Sequence, residues 1–265
     1  MEKITSRDNQ KLKFARKVRD GREPEYIFLE GVRLAKEALR SELELKEVLV
    51  SEDFDDRSDQ LEAFASLIGP TLVSDRIFDS VADTKNSQGI VIIAKRPITS
   101  IERVDAALAK AGSGIPLVIF LSRINNPSNL GAILRTAEAS SARGVIVSEG
   151  SADVFSPKAL RAAMGSSLRL PVLENVGFDE AIKWAQTRGL TTTAADIGGT
   201  EAYTEIDWKI PRLLVFGSEA HGLSESEREL IDQVVKIPMK DEVESLNLAV
   251  SAGVILFEAR RQVIS

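Results

Sequence analysis

Residues 213–223, LLVFGSEAHGL, decide how the second half of this chain folds. The apolar run Leu213 to Phe216 reads as a buried strand that stops at Gly217 and passes through Ser218, Glu219, Ala220 and His221 to a second glycine, Gly222. Glycines there let the backbone approach a ligand or take positive φ. Two other stretches share the design: NNPSNLGAILRTAEA from Asn125 and IPMKDEVESLNLAVSAGVILF from Ile237. Each sets small or polar residues at the end of an apolar run and just before a helical pattern. An open α/β sheet builds its ligand crevice there, outside the carboxyl ends of its strands.

Strands and helices alternate around these three stretches. PLVIFL, a helix from Leu130, GVIVS, a helix around Lys158 to Ala163, PVLE, a helix FDEAIKWAQTRG and TTTAAD lead to RLLVFG. A short helix after Ser224, the strand VVKIPM and a closing helix from Ser245 to about Arg261 follow. Such alternation predicts a mainly parallel sheet with helices on both faces. Neither G-x-G-x-x-G nor G-x-x-x-x-G-K-[ST] follows any of these strands, which disfavours dinucleotide-binding and P-loop folds.

Before residue 98 a smaller α/β domain is expected. A helix with Leu12, Ala15, Arg16 and Val18 on one face opens it, and LEGVRLAKEAL gives a second helix. LKEVLVS, a helix SDQLEAFASLIG ending at Gly69-Pro70, TLVS, a helix DRIFDSVAD and the buried strand GIVIIAK complete it. The stretch Arg96-Pro97-Ile98-Thr99-Ser100, before a helical IERVDAALAKAGSG, reads as the linker, so the domains are expected at 1–98 and 99–265.

With 265 residues, 43% hydrophobic and 28% charged, the chain has the composition of a water-soluble protein with two cores. The longest apolar stretch, Leu248 to Phe257, is too short to span a bilayer, and MEKITSRDNQ contains no apolar signal region. A cytoplasmic location and no membrane partner are expected. Zero cysteines exclude disulfides and thiolate chemistry, and a single histidine, His221, argues against a metal site or a His-based triad.

Net charge is −6, unevenly spread. Residues 1–22 hold eight basic against three acidic side chains, a local +5, leaving −11 on the remainder. From charge alone, a solvated helix face is the plainer reading of this basic end.

Candidate ligand groups cluster at the three stretches. Leu130, Ile133, Leu134 and Ala137 share a helix face, and Arg135 lies roughly 140° away from Leu130. Beside Asn125, Asn126, Ser128 and Asn129, that guanidinium offers a planar fork for phosphate near a positive helix end, or is simply a surface arginine. Glu219 is either an acceptor for a ligand hydroxyl, a clamp on an arginine, or a helix-end carboxylate. The lone His221 reads best as a loop histidine without catalytic duty. Ser245 is expected to cap the last helix and leave Asn247 to meet a ligand. That helix is apolar nearly all round, which predicts burial against its own sheet and a second subunit.

In this order and spacing, NPSNLGAILRTAEA, VFGSEAHGLSE and IPM followed by ESLNLAVSAGVILFEA resemble the three motifs of the SpoU (TrmH-like) branch of the SPOUT RNA methyltransferases. SPKALRAAMGSSLRLPV resembles the intervening helix segment, and ITSRDNQKLKFARKV with IFLEGVRLAKEAL resembles the L30e-like substrate-binding domain found before many such catalytic domains. The resemblance implies transfer of a methyl group from S-adenosylmethionine to a ribose 2′-hydroxyl of ribosomal RNA. It implies an α/β sheet tied in a trefoil knot and a homodimer whose interface completes the reaction site. By motif position, Gly217, Ile237, Met239 and Leu246 would line the cofactor, and Asn129, Arg135, Glu219, Ser245 and Asn247 would form the reaction site. Arg135 is then expected to clamp phosphate and stabilise the developing alkoxide, since a guanidinium is a poor base at neutral pH. The basic end regains weight as an RNA anchor through Lys11, Lys13, Arg16 and Lys17.

Asp241 departs from the family pattern, which has glycine two positions after the methionine of IPM, and Ser218 stands where asparagine is common. Asp241 also favours the rival reading, a non-catalytic RNA-binding or ribosome-assembly protein that keeps the fold. A generic nucleotide-binding enzyme is disfavoured without a phosphate loop.

Overall fold

The computed structural model describes residues 3–54, 69–110 and 114–264. Contacts divide the chain into two compact units, Met1–Ile98 with Phe155–Arg169, and Thr99–Val154 with Leu170–Ser265. In sequence order the chain passes from the first unit to the second after Ile98, returns to the first at Phe155 and rejoins the second at Leu170.

The first unit holds β1 (Lys3–Ile4), α1 (Gln10–Arg19), β2 (Tyr26–Glu30), α2 (Val32–Arg40), β3 (Leu45–Ser51), β4 (Thr71–Val73), α3 (Asp75–Phe78) and β5 (Ile90–Lys95). The returning segment adds α6 (Pro157–Ala163) and α7 (Ser166–Arg169). Its sheet runs β1-β4-β3-β5-β2, with β1, β4 and β3 parallel and β5 antiparallel to both β3 and β2. The apolar face of α1, Leu12, Ala15 and Val18, is buried with Phe28, Leu49 and Val91. Electrostatic contacts seat the returning segment: Arg161 pairs with Asp83 at 2.6 Å, and Arg169 pairs with the buried Glu37.

Two expectations are corrected in this unit. Leu29 and Glu30 belong to β2, not to a helix. The run IFL is buried and β-prone, and Gly31 at φ +94° separates it from α2. The helix expected over DRIFDSVAD covers only Asp75–Phe78. That expected over SDQLEAFASLIG falls almost wholly outside the described residues.

In the second unit, α4 (Ile101–Ala109), β6 (Leu117–Leu121), α5 (Pro127–Ser140), β7 (Gly144–Ser148), β8 (Val172–Val176), α8 (Phe178–Thr187) and β9 (Thr191–Ala195) alternate. They are followed by β10 (Glu201–Ala202), β11 (Arg212–Phe216), α9 (Glu225–Glu229), β12 (Gln233–Lys236) and α10 (Leu248–Ile264). The sheet order is β10-β12-β9-β11-β6-β7-β8, and every pairing in it is parallel. Central β11 and its neighbour β6 are buried along their whole length, which is why Leu213–Phe216 and Leu117–Leu121 read as unbroken apolar runs.

Candidate active site

Parallel pairing brings the carboxyl ends of β9, β11 and β12 to one edge, where a cavity of about 520 Å³ opens. That volume suits a ligand of nucleoside size or larger. Asn129, Gly217, Glu219, Ile237, Met239, Ser245, Leu246 and Asn247 all line it, as does His221. Three segments far apart in sequence are thus gathered round one space.

Local chemistry explains the shape of the wall. A Cβ on Gly217 would stand 2.3 Å from the carbonyl carbon of Gly222, so only glycine fits where β11 ends. Ser218 and Gly222 then exchange backbone hydrogen bonds of 3.2 and 2.9 Å, with Gly222 at φ +62°, and this tight turn projects Glu219, Ala220 and His221. The freedom expected of these glycines is therefore split: Gly217 is required by backbone crowding, Gly222 by positive φ.

Hydrogen bonds join the three motifs in series. Glu219 accepts from the backbone N–H groups of Asn125 and Asn126 at 3.1 and 3.2 Å and from Asn129 Nδ2 at 3.2 Å. Asn129 Oδ1 accepts from Asn247 Nδ2 at 3.1 Å. Asn247 Oδ1 in turn accepts from the backbone N–H groups of Ala249 and Val250, at 2.9 and 3.3 Å. These contacts place the Glu219 carboxylate at the start of α5. The expected capping is reversed. The helix begins at Leu248, so Asn247 is the residue positioned to reach its free N–H groups, and Ser245, two residues earlier, is an exposed residue of the cavity rim.

A second carboxylate fixes the loop after β6. Glu227 closes a capping box with Ser224 on α9 and binds Arg123 through two bonds of 2.5 and 2.7 Å. The Arg123 guanidinium, opposing the cost of burial, holds the Glu227 carboxyl down at about 2.

Arg135 stands apart. It is exposed on α5, does not line the cavity, and has no polar partner among the described residues, while Leu130, Ile133, Leu134 and Ala137 are fully buried as their spacing predicts. The four α1 residues expected to anchor RNA, Lys11, Lys13, Arg16 and Lys17, are drawn into their own unit. Lys11 reaches Thr71 Oγ1 and Glu47, Lys13 pairs with Asp8, Arg16 donates to the Arg7 carbonyl and Ser80, and Lys17 pairs with Glu23.

Sequence reading missed Asp196 and Arg228, which line the cavity and form an ion pair of 3.0 Å. The available signal was position: Asp196 directly follows the strand TTTAA at the carboxyl edge. Among the described residues, no helix is long and apolar enough to cross a membrane, and no group of three or more His, Cys, Asp or Glu side chains is arranged to hold a metal ion.

The cavity's composition fits S-adenosylmethionine. Phe216, Ile237 and Leu246 give it apolar surface, and Asp196, Ser245 and Asn247 give it polar groups. Comparison with known proteins agrees. Residues 116–257 match the SpoU rRNA Methylase family, and residues 9–92 match the MRM3-like substrate binding domain. An uncharacterized tRNA/rRNA methyltransferase of Synechocystis sp. is 38% identical over 191 residues, 72% of this chain and 67% of that protein. The 23S rRNA (uridine(2479)-2'-O)-methyltransferase of Streptomyces viridochromogenes is 34% identical over 66% of this chain and 61% of its own length. The AdoMet-bound rRNA methyltransferase of Sinorhizobium meliloti superposes with a TM-score of 0.84 at 27% identity, over 100% of this chain and 99% of that one. The chain belongs to the SpoU rRNA methylase family and is an S-adenosylmethionine-dependent RNA methyltransferase.

Proposed function

We propose that this enzyme methylates a ribose 2′-hydroxyl of ribosomal RNA in the cytoplasm, with residues 99–265 as catalytic domain and 1–98 as an L30e-like RNA-binding domain. The observation that carries this reading is the hydrogen-bonded series Glu219–Asn129–Asn247, which ties all three motifs to the rim of one cavity. The 2′-O activity in the name of the Streptomyces relative supports the choice of hydroxyl. Central placement of β11, with β12 beyond β9, is compatible with the trefoil knot that the resemblance implies.

S-Adenosylmethionine supplies an electrophilic methyl group; the chain supplies position and charge. Gly217, Ile237, Met239 and Leu246 would hold the cofactor. Glu219 spends its oxygens on N–H donors and acts as an anchor, leaving Asn129, Ser245 and Asn247 to orient the ribose. Arg135 would clamp an RNA phosphate with its planar guanidinium and stabilise the oxyanion as the hydroxyl proton passes to solvent. Its distance from its own cavity is reconciled by a homodimer in which each chain lends Arg135 to the other's site. The exposed Val250 and Phe257 on α10, 52% and 50% accessible and separated by about two helical turns, offer the apolar stripe for that contact.

The test is digestion of ribosomal RNA after incubation with enzyme and S-adenosylmethionine. One nucleoside bearing a 2′-O-methyl group is expected. Methylation confined to bases, or to transfer RNA, would refute the proposal. Mixing an Arg135→Ala chain with an Asn129→Ala chain should restore activity if Arg135 acts across the dimer, and leave both dead if it acts within one chain.

A further inference from the structure

Asp196 carries an assignment that the motifs do not contain. It sits one residue beyond β9, and its side chain, 8% exposed, lines the cavity. One carboxylate oxygen accepts from the backbone N–H of Gly198 at 2.9 Å; the other pairs with the Arg228 guanidinium at 3.0 Å. Two glycines keep its surroundings open. A Cβ on Gly198 would stand 3.3 Å from Oδ1, and a Cβ on Gly222 would stand 3.4 Å from Oδ2.

Two partners do not exhaust a carboxylate, which offers about four acceptor positions. The remaining lone pairs of a fixed, charged acceptor beside an open space call for donors on a ligand. A vicinal diol fits: two O–H groups on neighbouring carbons match two oxygens on one carboxylate. An acidic residue near the end of a parallel strand reads a nucleoside ribose in this way in dinucleotide-binding sheets, by the same geometry on a different fold. We infer that Asp196, held by Arg228, binds the ribose 2′- and 3′-hydroxyls of the adenosine half of S-adenosylmethionine. This assignment rests on the cofactor occupying the cavity and deepens it by naming the group that recognises the nucleoside.

Arg228 is the positioning residue. Its ion pair limits the rotation of the carboxylate, and its own Nε donates to the Leu223 carbonyl at 3.3 Å, which ties α9 to the turn after β11.

Calorimetry with the full-length protein tests this, using S-adenosylhomocysteine and its 2′,3′-dideoxy analogue as probes. Wild-type protein is expected to bind the dideoxy compound at least about tenfold more weakly, the range for hydrogen bonds to a charged group. Asp196→Asn, which keeps the side-chain size and an acceptor for Gly198, should lose about tenfold for S-adenosylhomocysteine and less than about twofold for the dideoxy analogue. Equal losses for both probes would overturn the inference, leaving Asp196 a prop for the loop. Should Asp196→Asn fail to fold, Arg228→Gln serves instead. A loss confined to the probe with hydroxyls supports the inference, and an equal loss on both overturns it. If the wild-type protein bound neither probe, the cofactor assignment itself would fall, an outcome distinct from intact binding without discrimination.

Discussion

Asn247 Nδ2 donates to Asn129 Oδ1 at 3.1 Å, and this bond sets the orientation of both amides. Asn247 must turn its oxygen to the N–H groups opening α10, so its nitrogen faces Asn129; Asn129 then turns its own nitrogen to Glu219. Asn247→Ala removes the cap and should lower stability by about 1 kcal/mol in denaturant titration. Asn247→Asp keeps the cap but sets a carboxylate oxygen against Asn129 Oδ1. We expect near wild-type stability and a large loss of turnover. Unchanged turnover in Asn247→Asp would detach this amide series from catalysis.

The Arg123–Glu227 pair predicts a pH signature. The folded carboxyl titrates at about 2 against an ordinary 4.5, so its contribution is fully present above about 4.5 and is lost as pH falls toward 2. Glu227→Gln should cost on the order of 2–3 kcal/mol at neutral pH, with the difference from wild type shrinking in acid. A stability gap that is constant between pH 7 and pH 3 would show that the pair's charge is not its source.

Gly217→Ala forces a methyl group into the Gly222 backbone, an atom pair that no side-chain rotation relieves. The expected result is a loss of about 1–3 kcal/mol of stability, with weaker cofactor binding as the turn shifts. Gly253→Ala is the contrast, since the nearest neighbour of its added Cβ is a Thr136 methyl at an ordinary 3.8 Å. Equal behaviour of the two variants in thermal melts would contradict the crowding argument.

Strands of the catalytic half were legible because burial on both faces writes them as apolar runs ended by glycine or polar residues, as in RLLVFG. Gly217 was legible from its position at a strand end, and Asn129 and Asn247 from their positions at helix starts. Strand β2 was obscured because its apolar run flows into the helical period of α2, with only Gly31 as punctuation. Grouping of Phe155–Arg169 with the first unit depends on pairs such as Arg169 with Glu37, distant in sequence and invisible to any local pattern. Asp196 escaped because a single carboxylate after a strand has no period and no spacing partner; only folding sets Arg228 against it.

The basic helix α1 gives a graded prediction. Lys11 and Arg16 hold their own unit together, so replacing them confounds stability with RNA affinity. Lys13 and Lys17 make exposed pairs of little energetic worth. Lys13→Gln with Lys17→Gln should leave the melting temperature unchanged and flatten the dependence of RNA binding on salt, by somewhat less than one unit of log–log slope for each phosphate that is no longer neutralised. An unaltered slope would remove α1 from the RNA interface.

Arg135 is the sharpest case, because an exposed side chain without a polar partner among the described residues contributes little to the fold. Arg135→Ala should change stability by less than about 0.5 kcal/mol and leave S-adenosylmethionine binding intact, since the residue lies outside the cavity. Turnover should fall by orders of magnitude, as loss of a preorganised donor to a developing oxyanion costs about 10²–10³. Lysine in its place keeps the charge but not the planar fork, so Arg135→Lys should recover only part of the rate. A wild-type rate in Arg135→Ala would move oxyanion stabilisation to another residue and leave the arginine a solvent-facing side chain of α5.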